Sequence, residues 1–404
     1  MLEGRETIED KSYRGYPIIF ISFLKVAVAF TLELSIPLYY IQEGLDPSII
    51  GIIVSATSMI YLFSPLILNR FYLKIGLKRS LLISVIGTLI IQIIFQFSLN
   101  SALVYVLLIF EGFFAGLFWP VLITNISLIT GSKEYCEDDS SRDKLMRFYN
   151  GGWNSGAVFS YLVGTVLLFL IENLRLIFLL TLIYSIILFL FTLLFEDPKS
   201  VESLEFQHPI KTSLETQCKK EKIEFPRILP LYLIGFYGFL IGALLLIYPI
   251  KSEQLSFFLY TTYLLNFFRM TAQTISITES SKLSIKRFKY LIMISLIILV
   301  MNFVIFSLNT NILIFGILFI MFGIFGSTLY SFSFKLIIYR NIKENTSKYS
   351  SYFETLAGLG FFLSPIIVGF IAEFNVDLAF IFLTIISSVT LIFFISIMKK
   401  IKSY

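Results

Sequence analysis

Charge, cysteine and histidine are all scarce in this 404-residue chain. Charged residues make up 15% of it against 57% hydrophobic residues, and the mean hydropathy is +0.84. A water-soluble domain of this length needs far more charge to cover its surface. The two cysteines, Cys136 and Cys218, fall in polar segments expected on the cytoplasmic side, which argues against a disulfide framework. The single histidine, His208, leaves a His/Cys zinc site or a haem short of ligands, so no metal or redox cofactor is expected. No GxxxxGK[ST] motif is present, which argues against ATP chemistry. Polar/apolar alternation at period two is missing too, and with it the signature of barrel strands.

What the chain does have is long apolar blocks. They run over 17–41, 48–69, 80–99, 102–129, 148–171, 174–195, 228–250, 255–278, 288–307, 312–339, 352–372 and 377–398. Blocks of about 20 residues match the hydrocarbon thickness of a bilayer at about 1.5 Å rise per residue. The expectation is an all-α membrane protein of twelve spanning helices. The first block carries Lys25 and Glu33 and is too long for a signal-peptide core, so it reads as the first span. Breaks at Asn100–Ser101 and Glu172–Asn173 are short enough for tight helical hairpins.

Placing both termini in the cytoplasm puts 28 of the 32 basic residues on inner segments. That asymmetry sets orientation by the positive-inside rule. It also accounts for the net charge of +5 without nucleic acid as a partner. A polar segment of mixed charge, 199–226, separates six helices from six and reads as a linker between bundles 1–198 and 227–404.

The halves repeat. Lys74-Ile75-Gly76-Leu77-Lys78-Arg79 leads into the third helix, and Lys282-Leu283-Ser284-Ile285-Lys286-Arg287 leads into the ninth, 208 residues later. Gly156-Ala157-Val158-Phe159-Ser160 and Gly360-Phe361-Phe362-Leu363-Ser364 repeat at an offset of 204 in the fifth and eleventh. Order and offset agree, as in a duplicated six-helix unit.

On these residues the chain resembles the major facilitator superfamily along nearly its whole length. The stretch Arg70 to Arg79 is similar to that family's signature loop, GxLaDRxGRR, and Glu111-Gly112-Phe113-Phe114-Ala115-Gly116 looks like its fourth helix. The pattern departs at Asn69 and Leu73, where the family has glycine and aspartate, and at Leu108, near where many proton-linked members carry arginine. The resemblance implies two pseudo-symmetric six-helix bundles, with helices 3, 6, 9 and 12 facing lipid and the others near a central path. It also implies contact between the loop and the start of helix 11. With the aspartate gone, Glu354 is expected to serve there, pairing with Arg70 or Lys74. Arg70, Lys74, Gly76, Lys78, Arg79 and Glu354 form this candidate latch.

Charge within hydrocarbon costs several kcal/mol, so intramembrane ionisable groups are functional candidates. Four lie well inside the spans: Lys25, Glu33, Glu111 and Arg269. Residue counts put Glu33 and Glu111 about 12–13 Å below the outer surface, with Lys25 and Arg269 lower. Lys25 and Glu33, eight apart, share a helix face. The expectation is that the carboxylates border a central cavity and one carries a coupling proton, while the cations bind an anionic substrate group or compensate the carboxylates. A static pair such as Lys25 with Glu111 is the plainer alternative. Asn150, Trp153 and Asn154 share a face of helix 5, and Asn266, Arg269 and Gln273 a face of helix 8. These helices meet across the halves in the resembling family, so the polar residues are candidates for an inner gate.

The function expected is secondary transport of a small molecule by alternating access, proton-coupled; few buried charges and 17% aromatic residues favour an amphipathic or weakly polar solute over a sugar, and export is expected over import. No enzymatic chemistry is expected. The cell membrane is the expected location, and the oligomeric state is left open with a monomer acceptable. The competing class is a transport-inactive sensor or scaffold of the same fold.

Overall fold

The structure, a computed structural model, describes residues 16–64, 67–68, 74–130, 139–194, 225–280, 283, 285–344 and 348–402. Twelve helices follow one another: α1 (Tyr16–Gln42), α2 (Pro47–Tyr61), α3 (Leu77–Phe97), α4 (Ser101–Thr130), α5 (Asp139–Ile171), α6 (Leu174–Leu194), α7 (Ile228–Gln254), α8 (Leu259–Ser280), α9 (Ile285–Leu308), α10 (Ile312–Glu344), α11 (Lys348–Phe374) and α12 (Val376–Lys402). Among the described residues there is no strand. Helices pair their backbone groups internally, as hydrocarbon demands, except in the end turns. The linker positions 199–224 lie outside the described residues, as do Arg70, Cys136, His208, Cys218 and Lys282.

Boundaries differ from expectation where local chemistry competes with hydropathy. α2 ends at Tyr61, short of the apolar block that runs to 69, where Leu62 takes over as its C-cap. α5 begins nine residues earlier than its apolar block, because a polar inner turn needs no lipid to remain helical. Ten of the helices are long and apolar enough to cross a bilayer; α2 is too short and α8 too polar.

Asparagine turns the tight hairpins. Asn100 Oδ1 accepts the amides of Ala102 (3.1 Å) and Leu103 (3.4 Å) at the start of α4. Asn173, Asn311 and Asn375 cap α6, α10 and α12 in the same way, at 2.9, 2.8 and 2.7 Å. Each cap satisfies amides that otherwise have no intrahelical partner. Between α1 and α2 the turn needs a left-handed residue, supplied by Gly44 at φ 74°.

The helices form two six-helix bundles. Within the first, α1 packs on α5 and α6, α3 on α4 and α6, and α2 on α4; within the second, α7 packs on α11 and α10, α9 on α10 and α12, and α8 on α10. The repeated glycines occupy equivalent places. A Cβ at Gly156 would stand 2.2 Å from the Phe23 carbonyl oxygen of α1, and one at Gly360 2.2 Å from the Gly235 carbonyl oxygen of α7. Backbone contact of this kind drives helix association where lipid supplies no hydrophobic force. α3 and α9 also begin 208 residues apart, the offset of the repeated loop.

Apolar stripes at helical spacing are exposed on α3, α6, α9 and α12, and shorter ones on α5 and α10. α3 shows Ile83, Ile86, Ile90 and Ile93; α6 shows Ile183, Ile186 and Leu190; α9 shows Ile294, Ile297, Met301 and Ile305; α12 shows Ile381, Ile385, Val389 and Ile392. The main packing of α3, α6, α9 and α12 is within their own bundle, so their stripes meet acyl chains. The bundles meet instead through α5 against α8, α2 against α11, and α1 against α7. The site lies on those seams.

Candidate functional site

The four intramembrane charges resolve into two unlike groups. Lys25 on α1 is 1% exposed, and its Nζ donates to Glu111 Oε1 on α4 and to Thr88 Oγ1 on α3, both at 2.6 Å. Thr88 Oγ1 donates in turn to Glu111 Oε1 at 3.2 Å, and Lys25 Nζ stands 5.8 Å from the Phe118 ring centroid. Three helices of the first bundle are thereby pinned around a compensated charge. Glu111 Oε2 is buried without a partner, because both bonds converge on Oε1.

Glu33 and Arg269 come from opposite bundles. Arg269 is fully buried on α8, within electrostatic reach of Glu33 on α1, Tyr161 on α5 and Tyr237 on α7. Glu33 is part-buried, with Oε2 enclosed and unpartnered. The two side chains make no ion pair with each other. Arg269 Nε donates to Asn266 Oδ1 at 3.0 Å, and Asn266 Nδ2 to the Thr262 carbonyl at 3.0 Å, while Nη1 and Nη2, with the Tyr161 hydroxyl as a neighbour, meet no acceptor in bonding geometry. α10 holds this stretch of α8 rigidly: a Cβ at Gly323 would stand 2.2 Å from the Arg269 carbonyl oxygen.

The polar residues proposed for an inner gate divide. Gln273 Nε2 donates to Asn154 Oδ1 at 2.9 Å across the α5–α8 seam, and Tyr237 Oη donates to Gln273 Oε1 at 3.0 Å. Trp153 meets Tyr330 of α10 edge-on, centroids 5.6 Å apart. Asn150 stays within α5, accepting from Trp153 Nε1 (3.3 Å) and, through its carbonyl, from Asn154 Nδ2 (2.7 Å). Asn266 serves Arg269 rather than the seam.

Of the latch residues, Gly76 takes φ 88° ahead of α3, Lys74 and Arg79 are exposed, and Lys78 is part-buried. Arg70 lies outside the described residues. Glu354 on α11 accepts a hydrogen bond from Tyr61 Oη at the end of α2, with Tyr149 and Tyr330 within electrostatic reach. The α2–α11 seam is otherwise a close backbone contact, with a Gly51 Cβ position 2.3 Å from the Pro365 carbonyl oxygen.

Several contributors escaped sequence reasoning. Tyr263 Oη donates to the Thr31 carbonyl across the bundles at 3.2 Å, and its ring lies 5.9 Å from Tyr161. Tyr61, Tyr237, Tyr330 and Thr88 belong to the same class. A hydroxyl inside an apolar block was the available signal, diluted among 22 tyrosines. A cavity of about 600 Å³ lies at the end of α1 and the α7–α8 turn, lined by Gln42, Glu172, Glu253, Ser256 and Phe257, among others. Among the described residues no group of three His, Cys, Asp or Glu gathers as a metal site.

Two helical bundles with lipid-facing stripes, meeting at seams that hold buried ionisable groups, define a membrane transporter. The Major Facilitator Superfamily model matches residues 18–356, and the chain belongs to that family. This makes it a transport protein rather than an enzyme. The crystal structure of the nucleoside transporter NupG superposes with a TM-score of 0.68 at 15% identity, covering 95% of this chain and 99% of that one. That of the human organic anion transporter MFSD10 (TETRAN) superposes at 0.64 with 13% identity and the same coverage. At these identities the likeness is one of fold. A search of curated proteins finds no match.

Proposed function

We propose that the protein is a secondary active transporter that moves a small amphipathic solute by alternating access, with Glu33 exchanging the coupling proton. The reading rests on one observation: Glu33, part-buried with Oε2 enclosed, and Arg269, fully buried, approach from opposite bundles without bonding to each other. A pair that neither bundle owns, and that the closed seam leaves unjoined, is the arrangement a rocking motion can make and break. Asn154–Gln273, Tyr263–Thr31 and Tyr61–Glu354 are the cross-bundle bonds that such a motion exchanges. Each is weak, about 0.6 kcal/mol in a membrane interior, so several can part together at modest cost.

Tyrosines around Arg269 favour a solute with an apolar body. Such a solute enters through the bilayer in its uncharged form, which makes energy-driven efflux the useful direction. The Lys/Arg asymmetry of the connecting segments supports cytoplasmic termini, and we take the protein to sit in the cell membrane with 199–226 as a linker between bundles 1–198 and 227–404.

The test is a proteoliposome assay with an imposed pH gradient. Solutes chosen by a thermal-shift screen against metabolites and drugs, repeated across pH, are followed together with internal pH. Solute-dependent proton movement that disappears in Glu33→Gln is the expected result. Proton-driven flux unchanged in that variant removes Glu33 from the mechanism. No gradient-driven flux of any solute that binds favours the sensor class.

A further inference from the structure

Arg269 is the largest fully buried side chain among the described residues, at 0% exposure, and its Nη1 and Nη2 meet no acceptor of the chain in bonding geometry. Its Nε is committed to Asn266, and Asn266 is anchored on the Thr262 carbonyl. This chain of bonds fixes the guanidinium plane and leaves one edge, the parallel Nη1 and Nη2 donors, enclosed beside the Tyr161 hydroxyl with no acceptor in bonding geometry. A buried donor without an acceptor costs the desolvation of that group, and a charged one costs more. Were Arg269 there only to neutralise Glu33, the two would pair, as Lys25 and Glu111 do at 2.6 Å. They do not.

Deepening the transport reading given above, and resting on it, we propose that Arg269 is the recognition group for a carboxylate on the transported solute, gripped end-on through Nη1 and Nη2. The planar fork of arginine matches a carboxylate with two parallel bonds, which an ammonium cannot reproduce. Charge count selects a monoanion over a phosphate dianion. Arg269 is the single cation brought to this part of the seam among the described residues; Lys25 is occupied by Glu111, and Glu33 adds negative charge. The body of the solute meets rings rather than polar groups. Tyr161 and Tyr263 stand edge to face at 5.9 Å on one side, and Tyr237 lies 5.7 Å from Tyr330 on the other. A flat or aliphatic group next to the carboxylate fits those faces. The solute is therefore an apolar monocarboxylate, bound when the bundles part and admit it.

Binding to the purified full chain in lipid nanodiscs tests this, using three probes: benzoate, its neutral isostere benzamide, and inorganic phosphate. Quenching of tryptophan fluorescence and calorimetry both serve as readouts, since Trp153 lies on the same seam. Benzoate is expected to bind, with benzamide and phosphate at least about tenfold weaker, the discrimination a charge-assisted bidentate contact supplies. Arg269→Gln should weaken benzoate about tenfold or more, and Arg269→Lys should retain part of the affinity by keeping charge without the fork. The wild-type comparison of three probes stands even if a variant fails to fold. Equal binding of benzoate and benzamide, preference for phosphate, absence of benzoate binding, or benzoate affinity unchanged in Arg269→Gln would each overturn the assignment. The two readings fail separately. Arg269-dependent benzoate binding without gradient-driven flux of any solute retires the carrier and keeps the site; gradient-driven flux unaffected by Arg269→Gln retires the site and keeps the carrier.

Discussion

Lys25 and Arg269 are both cations buried to 1% or less, yet their surroundings are opposite. Lys25 has a carboxylate and a hydroxyl from two other helices of its own bundle, both at 2.6 Å. Arg269 has one side-chain amide on its own helix, an unbonded carboxylate and the Tyr161 hydroxyl in the other bundle, and two donors without an acceptor in bonding geometry. The first arrangement is closed inside one rigid body, so motion of the bundles leaves it intact. The second straddles the seam, so motion of the bundles changes it. Burial alone therefore does not separate anchors from working groups. The ownership of the partner does.

Breaking the closed pair should have the largest effect on the fold. Lys25→Met leaves Glu111 charged and uncompensated, at a cost of about 3–5 kcal/mol. Loss of folded protein on fluorescence-detected size exclusion measures it. Adding Glu111→Gln should recover most of the loss, because the uncompensated charge goes with it. A single variant as stable as wild type would mean that the pair pins nothing.

Next in size is the support under Arg269. Gly323→Ala forces a Cβ toward the Arg269 carbonyl, 2.2 Å away in the present backbone, while Gly316→Ala on the same helix meets only Leu265, at 3.8 Å. Overpacking of the first kind costs about 1–3 kcal/mol. Thermal unfolding should separate the two alanines by that amount and in that order, and equal melting curves would show that α10 is free to shift.

Smaller again are the bonds across the seam. Gln273→Leu removes its contacts with Asn154 and Tyr237, each worth about 0.6 kcal/mol. The fold should tolerate this, while hydrogen exchange at the facing ends of α5 and α8 quickens by a few fold; unchanged exchange would argue that those bonds do not hold the bundles closed. Smallest in stability is Glu33→Gln, expected within about 0.5 kcal/mol of wild type because no bond to Glu33 is lost. Its effect belongs to coupling, read in the pH-gradient assay. A large loss of stability would place Glu33 with Lys25 among the anchors.

Much of the architecture was legible in the chain, because bilayer thickness translates directly into apolar block length. Twelve blocks became twelve helices, and the 208-residue offset of the repeated loop reappears as the spacing of the α3 and α9 starts. Helix ends were less legible. α5 begins nine residues before its apolar block, in a largely polar stretch that hydropathy does not mark as helix, and the continuous part of α2 ends at Tyr61. The intramembrane charges were visible as exceptions to an apolar background, but not their pairing. Residue counts along straight helices put Lys25 well below Glu111, whereas a long flexible side chain brings Nζ to 2.6 Å from the carboxylate. Thr88, which completes that group, carries no charge and looked like any hydroxyl in a span. The tyrosines around Arg269 were hidden for the same reason: in a chain with 44 phenylalanines and 22 tyrosines, an aromatic ring marks nothing until its neighbours are known.

The motion itself can be measured directly. Spin labels would go at Arg79 and Arg287, exposed equivalents at one end of the bundles, and in a second variant at Ala102 and Leu313, exposed at the other end. Cys136 and Cys218 are first replaced by serine. Electron–electron distance distributions are then recorded across pH and with benzoate. The expected result is two distances per pair whose populations shift in opposite senses, one end closing as the other opens. A single unchanging distance at both ends under every condition would contradict the exchange of seams around Glu33 and Arg269.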